Sequence, residues 1–483
     1  LIGTVIRLVG SINFIVGASM AAPLACSLIA HEQDWLAFVL GLAITLGVNL
    51  PAILLVRKGS VRLSRRTGMA VVAFGWITVP LFASLPFLFH GGMGGFSDCY
   101  FESVSGFTTT GSSILTDIEV LPHGILLWRS LIQWMGGLGI VLLTVAFFSF
   151  LGVGGIELFQ AEVPGVTTDK LQPRIMETAR HLWWVYILIT AIQALLLVLG
   201  GMSLFEAICH SLTTLATGGF SPRNTSIAAY SPYIQWVVVA FMFLAGTNFT
   251  LHYSLIREGK VRYFRNPEFR FYLFVILGAS AAMVAARTLS GIGSDVEATL
   301  RESCFTVLAM MTTTGFANCD YETWQSATWM PGVLAVVLMF VGGMGGSTGG
   351  GMKVVRVMML LKIAYRELYT AIHPKAVYLV KLGGQTVPRE VQGNVTGFFF
   401  LYCGIFAVGT LVMAAMGLDF ITALTSVAAT LNNIGPGLGS IGPTENFAHI
   451  PTAGKWVLIV LMIAGRLELY TFLVILIPDF WRS

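Results

Sequence analysis

The chain has 483 residues, of which 55% are hydrophobic and 11% charged, with a mean hydropathy of +0.79 and a formal net charge of +4. Soluble domains carry about 25% charged residues, so a soluble globular fold is excluded and an integral membrane protein is expected. The cysteines Cys26, Cys99, Cys209, Cys304, Cys319 and Cys403 form no CxxC pair or His/Cys cluster; they read as small apolar fillers, not a metal site, with a disulfide among outward-facing ones left open.

A transmembrane helix needs roughly 20 apolar residues. Such stretches run near 5–30, 35–56, 67–90, 125–150, 181–201, 233–256, 271–291, 330–362, 394–417 and 454–478, which predicts ten spans. The length of the first and its lack of an A-x-A-like site argue against a removed signal peptide. Basic residues cluster in Arg57–Arg66, in Arg257–Arg270 and between Lys353 and Arg389, so these segments are expected on the cytoplasmic side, with the N-terminus inside. That trace leaves Arg129, Arg223, Arg287, Arg301 and Lys455 outside and Arg466 within a span. Acids outnumber bases on the outer side, and such a field concentrates cations.

In chain order, a two-helix hairpin over 1–58 precedes units at 66–152, 178–258, 268–366 and 392–480. Each unit reads as span, half-helix, loop, span. The loops are Thr108-Thr109-Thr110-Gly111-Ser112, Ala216-Thr217-Gly218-Gly219-Phe220, Thr312-Thr313-Thr314-Gly315-Phe316 and Asn432-Asn433-Ile434-Gly435-Pro436. Gly137, Gly246, Gly343 and Gly465 follow them at nearly constant distance, and paired landmarks repeated in this way mark internal repeats. The expected fold is an all-α integral membrane protein with four pore repeats in pseudo-fourfold arrangement.

Backbone that leaves a helix at membrane depth must be buried in protein or line water. Glycine allows successive carbonyls to turn toward one axis and replace an ion's hydration shell. The filter candidates are therefore Thr109, Thr110, Gly111, Ser112, Ala216, Thr217, Gly218, Gly219, Thr313, Thr314, Gly315, Phe316, Asn433, Ile434, Gly435 and Pro436, with Thr hydroxyls as further oxygens. Ser203-x-x-Glu206 and Ser294-x-x-Glu297 have the capping-box pattern, and Asp98 and Asp419 open the other two half-helices. Acids there complement the positive helix ends, leaving the partly negative ends toward the pore centre, which favours a cation. Ordinary packing of small residues between membrane helices is the competing reading of any single segment.

The third repeat's last span contains Gly342-Gly343-Met344-Gly345-Gly346-Ser347-Thr348-Gly349-Gly350-Gly351. Each glycine costs about 1 kcal/mol against alanine in a helix, so a break is predicted. Gly345, Gly346, Ser347, Thr348, Gly349, Gly350 and Gly351 become a candidate gate loop. Arg466 lies too deep to snorkel easily, and intramembrane charges are usually functional; it is expected to bond loop carbonyls, as a gate element or as a purely structural group. Lys353 assists the gate or serves as ordinary positive-inside anchoring.

The motifs SGFTTTGSS, TTLATGGFSP, MMTTTGFANCD and LNNIGPGLGSIGP resemble those of the potassium-transporter superfamily that includes bacterial Trk and Ktr and plant HKT proteins. The resemblance covers about residues 67–478, and the extra N-terminal pair of spans looks more like the TrkH branch than the shorter Ktr subunit. It implies gated, potassium-selective uptake across a bacterial cytoplasmic (inner) membrane, with Gly111, Gly218, Gly315 and Gly435 at the filter positions. It further implies K⁺ as the transported ion and the only metal at the filter, no cofactor in this chain, a homodimer, and a separate cytosolic nucleotide-binding regulatory ring of the TrkA type. The fourth repeat departs from the Thr-rich pattern. The basic segments suit docking of such a partner or binding of anionic lipid headgroups.

A transporter coupling K⁺ entry to Na⁺ or H⁺ is the alternative; it usually needs acids at the midplane, where Glu468 is the one candidate. A membrane enzyme would need a catalytic pair or metal cluster, and neither HExxH nor a Walker A pattern occurs.

Overall fold

The computed structural model describes residues 2–55, 65–151, 171–292, 295–326 and 328–482. Arg57, Lys58 and Arg62 of the first basic segment, and Ser294 of the second capping box, lie outside them. Helices α1 (Ile2–Ser19), α2 (Ala21–Ile29) and α3 (Trp35–Leu55) form the N-terminal hairpin. Asn13 on α1 is buried and donates through its amide to Asn49 of α3 and Thr78 of the next helix, at 3.2 and 3.3 Å, which docks the hairpin on the first repeat.

That repeat comprises α4 (Arg65–Ala83), α5 (Leu85–His90), α6 (Phe96–Phe107) and α7 (His123–Leu151). The second comprises α8 (Leu171–Leu199), α9 (Leu204–Leu215), α10 (Pro232–Ala245) and α11 (Phe249–Glu258). The third holds α12 (Pro267–Leu289), α13 (Val296–Met311), α14 (Met330–Met339) and α15 (Val354–Ile372). The fourth holds α16 (Arg389–Ala415), α17 (Phe420–Leu431), α18 (Thr452–Arg466) and α19 (Tyr470–Val474). A two-residue-per-strand hairpin, Lys381–Leu382 with Gln385–Thr386, turns at Gly383-Gly384, both with positive φ as that tight turn requires.

The half-helices α6, α9 and α17 are each 12 residues long. At 1.5 Å per residue they reach about 18 Å, short of the ~30 Å hydrocarbon core, so they enter and stop. Side-chain caps start α9 at Ser203, α13 at Asp295 and α17 at Asp419. On α13 the cap is Asp295, accepting from Ala298 N–H at 3.2 Å, one residue beyond the serine the capping-box pattern singles out.

Seven helices are long and apolar enough to cross a membrane, or eight if one bent pair counts as a span, among the described residues. Of the ten apolar stretches, the one near 330–362 is broken between α14 and α15 at the glycine-rich loop, as its glycines predict, and two more are interrupted where hydropathy predicts no break: α10 and α11 meet at 98°, and α18 stops at Arg466. Glu468 and Leu469, with φ of 55° and 53°, turn the chain after α18. Positive φ in two successive non-glycine residues is strained. Among the described residues, only the first repeat keeps a continuous inner helix, α7.

Buried ion pairs and hydrogen bonds pin the half-helices. Glu102 on α6 and Arg129 on α7 are 0% and 1% exposed and paired at 2.8 Å. Glu102 also accepts from Ser113 Oγ and Ile114 N–H, while Arg129 donates to Ser221 O and lies over Phe220. The pair thus fixes the loop after α6 to the loop after α9. Breaking a buried pair leaves one charge uncompensated, at a cost of about 3–5 kcal/mol. Arg129→Met should therefore destabilise the detergent-solubilised protein by about that amount in thermal denaturation, and adding Glu102→Gln should recover part of the loss. An undiminished loss in the double variant would contradict this assignment.

Candidate functional site: four loops at the centre of the repeats

Each half-helix ends in the same way. Thr109, Thr217, Thr313 and Asn433 take left-handed backbone with φ of 53°, 54°, 59° and 55°. The next N–H reaches back five residues: Thr110 to Ser105 O, Gly218 to Thr213 O, Thr314 to Ala309 O and Ile434 to Ala429 O, all at 2.8–2.9 Å. This is the Schellman helix stop, built on threonine where glycine is usual. A β-branched residue there is strained by about 1–3 kcal/mol; asparagine in the fourth repeat tolerates the conformation best.

The shared geometry sets the register. Gly111, Gly219, Gly315 and Gly435 are equivalent, with φ of 87°, 76°, 73° and 106°. The pairing of Gly218 with Gly111, read from sequence, is shifted by one residue: Gly218 stands with Thr110, Thr314 and Ile434. Adjacent glycines in Thr217-Gly218-Gly219 concealed this.

These glycines close a ring. A Cβ on Gly111 would lie 2.2 Å from Gly218 O, one on Gly219 2.1 Å from Thr314 O, one on Gly315 1.7 Å from Ile434 O, and one on Gly435 2.8 Å from Thr110 O. Repeat one thus abuts two, two abuts three, three abuts four, and four returns to one. Above them opens one vestibule lined by all four glycines together with Ser112, Phe220, Ala317 and Pro436.

Most hydroxyls here are already engaged. Thr108 pairs with Thr110 and Thr312 with Thr314, each at 2.7 Å. Thr217 Oγ1 donates to Ala216 O, Thr313 Oγ1 accepts from Gly350 N–H, and Asn433 Nδ2 donates to Thr110 Oγ1 and Met462 O. Thr109 Oγ1 alone of these has no partner among the described residues. Backbone carbonyls are different. Among the described residues, those of Thr109, Thr110, Gly111, Thr217, Gly219, Thr313, Thr314, Gly315, Asn433 and Ile434 accept no protein hydrogen bond, though the loops are largely buried. Buried carbonyls rarely stay unpaired, so this ring is rich in oxygens available to a cation. Two carbonyls are taken: Gly435 O by Ser112 Oγ at 3.0 Å and Gly218 O by Gln133 Nε2 at 2.7 Å. Gln133 Oε1 also accepts from Phe220 N–H. Gln133 was missed in the sequence; a polar side chain deep in the span near 125–150 was its signal.

Beneath the ring lies the loop between α14 and α15. Gly350 N–H donates to Thr313 Oγ1 at 2.6 Å, and Met344 N–H donates to Gly246 O at 2.9 Å. Thr348 Oγ1 donates to Ala245 O, Gly346 O accepts from Phe249 N–H, and Ser347 Oγ donates to Met344 O. A Cβ on Gly350 would lie 2.4 Å from Asn432 O and one on Gly349 3.0 Å from Thr312 O, so the loop passes directly under two half-helix ends. Lys353 Nζ donates to Gly349 O, Gly345 N–H donates to Glu268 Oε1, and a Cβ on Gly351 would lie 3.2 Å from Gly342 Cα. Arg466, 2% exposed, donates to Thr348 O at 2.9 Å and Gly136 O at 3.3 Å.

The position of Arg466 has a simple origin. A Cβ on Gly136 or Gly465 would strike the last carbonyl of its own half-helix, Phe107 O at 1.9 Å or Leu431 O at 2.0 Å. These two glycines are equivalent, so Arg466 occupies the slot that Gly137 fills in the first repeat. Gly137 lets α7 press against the end of α9, since a Cβ on it would lie 2.7 Å from Ala216 Cα, whereas the fourth repeat carries a guanidinium at this position. Glu468 pairs instead with Arg356, which lies over Phe398.

At the acidic mouth, hydrogen bonds from Thr422 hold Asp419 below the usual carboxylate range. Burial pushes Glu322 up, opposed by Gly439 N–H and assisted by Asp320 and Glu445.

Gly315→Ala should disrupt the ring, because its Cβ would sit 1.7 Å from a backbone oxygen. Gly291→Ala, at φ 67° but facing open space, should cost only about 1 kcal/mol of backbone strain. Thermal melting of both variants checks this; equal losses would contradict the close approach.

A sequence profile described as "TrkH: Cation transport protein" matches residues 36–482. The Trk system potassium uptake protein TrkH of Halomonas elongata is 40% identical over 99% of both chains, and that of Escherichia coli K12 is 39% identical over 99% of both. The crystal structure of the potassium transporter TrkH from Vibrio parahaemolyticus matches with a TM-score of 0.91 at 35% identity, covering 100% of each chain.

Proposed function

From the premise that this chain belongs to the TrkH family of cation transport proteins, we propose that it carries potassium into the cell through the ring formed by its four loops, with the glycine-rich loop as the gate. Potassium uptake is the function its relatives' names state. The observation that carries the pore reading is the closed cycle of contacts among Gly111, Gly219, Gly315 and Gly435, edged by carbonyls without protein donors. Carbonyl rings of this kind replace the hydration shell of K⁺. With the threonine hydroxyls other than that of Thr109 committed, backbone oxygens from Thr109–Ser112, Thr217–Phe220, Thr313–Phe316 and Asn433–Pro436 line the path. Ala216 lies one step further back, at the end of α9.

The gate consists of Gly345, Gly346, Ser347, Thr348, Gly349, Gly350 and Gly351, held by Arg466 and Lys353. These two cations, 2% and 9% exposed, stand on the path below the ring and repel K⁺ until the loop moves. The chain is a multi-pass membrane protein; we place it in the bacterial cytoplasmic membrane with its N-terminus inside, following the basic segments. The relatives are named as parts of a Trk system, and we infer a homodimer working with a cytosolic nucleotide-binding ring. Glu468, the midplane acid that coupling to Na⁺ or H⁺ would use, is bound to Arg356, which favours passive flow. A membrane potential supplies about 2.3 kcal/mol per charge per 100 mV.

Uptake of radioactive rubidium into proteoliposomes under an imposed potential tests this: K⁺ should compete and Na⁺ should not. Uptake that requires a Na⁺ or proton gradient would overturn the passive pore. Arg466→Ala should raise uptake in the absence of any partner, and unchanged uptake by a folded variant would remove Arg466 from the gate.

A further inference from the structure

Among the described residues, one carboxylate grips the glycine-rich loop. Glu268, near the start of α12, accepts Gly345 N–H at 2.7 Å and Val355 N–H at 3.2 Å, both on Oε1. Gly345 begins the candidate gate and Val355 lies in the first turn of α15. One oxygen therefore fastens both ends of a segment whose glycines cannot hold a conformation themselves. The other side-chain contacts, from Thr313, Lys353 and Arg466, reach its middle, at Gly350, Gly349 and Thr348.

Glu268 is in turn fixed from the opposite direction. Asn266 Oδ1 accepts Glu268 N–H at 2.8 Å and Phe269 N–H at 3.2 Å, capping α12. Asn266 ends the connection from α11, which carries Lys260, Arg262 and Arg265. The same loop is bonded to the bend between α10 and α11, through Gly246 O and Phe249 N–H. Both routes from the loop lead to this one basic connection, so displacing the connection displaces the carboxylate and the loop's ends with it.

We propose that Glu268 is a positioning residue of the gate, a latch that holds the glycine-rich loop closed and ties it to the basic connection between the second and third repeats. The proposal rests on the gate reading above. Hydrogen bonds to a carboxylate are roughly twice as strong as neutral ones. Glu268→Gln keeps the acceptor and loses the charge; Glu268→Ala leaves two N–H groups unpaired.

The test is rubidium uptake by the full chain in proteoliposomes without any partner, for wild type, Glu268→Gln, Glu268→Ala and Arg466→Ala. It is paired with K⁺ and Na⁺ competition and with hydrogen exchange of peptides spanning 344–355. Uptake should rise about tenfold in Glu268→Ala and by less in Glu268→Gln, with preference for K⁺ unchanged and exchange accelerated. Wild-type uptake in both Glu268 variants while Arg466→Ala is raised would overturn the latch and leave the gate standing. Wild-type uptake in all three variants would overturn the gate reading and the latch with it. Raised uptake with Na⁺ competing would also overturn the latch, since Glu268 would then be supporting the ring. If Glu268→Ala does not fold, Glu268→Gln is scored in the same way.

Discussion

Everything at the centre of this protein follows from backbone carbonyls that leave their helices inside the bundle without protein donors. In lipid such groups cost several kcal/mol each, and the chain contains four loops of them. They are kept out of lipid by pressing the loops against one another around a ring, which demands glycine at each junction. The half-helices deliver the loops, the buried Glu102–Arg129 pair and Gln133 brace them, and strained threonines at the helix ends set their direction. Strain of this kind persists only where the surroundings over-determine it, and here each loop is held by its two neighbours.

The ring is close to fourfold, but what lies beneath it is not. Inner helices from the second, third and fourth repeats break close to their landmark glycines, whereas α7 runs on. Each break serves a different end: at Gly246 it offers carbonyls to the glycine-rich loop, after Met339 it forms that loop, and after Arg466 it aims a guanidinium at the loop. Asymmetry thus grows from a symmetric frame by changing the residues around a glycine.

Much of this was legible in the sequence because glycine and charge are conspicuous in an apolar chain. The four loops, the glycine-rich segment and the deep Arg466 stand out for that reason, and the all-α repeat architecture follows from them. The register at Gly218-Gly219 did not, since two glycines in a row fit either alignment and only the left-handed Thr217 decides. Nor did the breaks at Gly246 and Glu468: hydropathy continues through both, and a turn at Glu468-Leu469 has neither glycine nor proline to announce it. Glu268 looked like any acid in a first helical turn, where the helix dipole already accounts for it. Its reach to Gly345 and Val355 is tertiary and leaves no local mark.

Four loops pressed into one ring should make one cation site. Rubidium-soaked crystals of the protein, measured at the rubidium absorption edge, test it without any assay of flux. Anomalous density is expected on the axis enclosed by Gly111, Gly219, Gly315 and Gly435, displaced by K⁺ and not by Na⁺. Density elsewhere in the bundle, with none inside the ring, would contradict it.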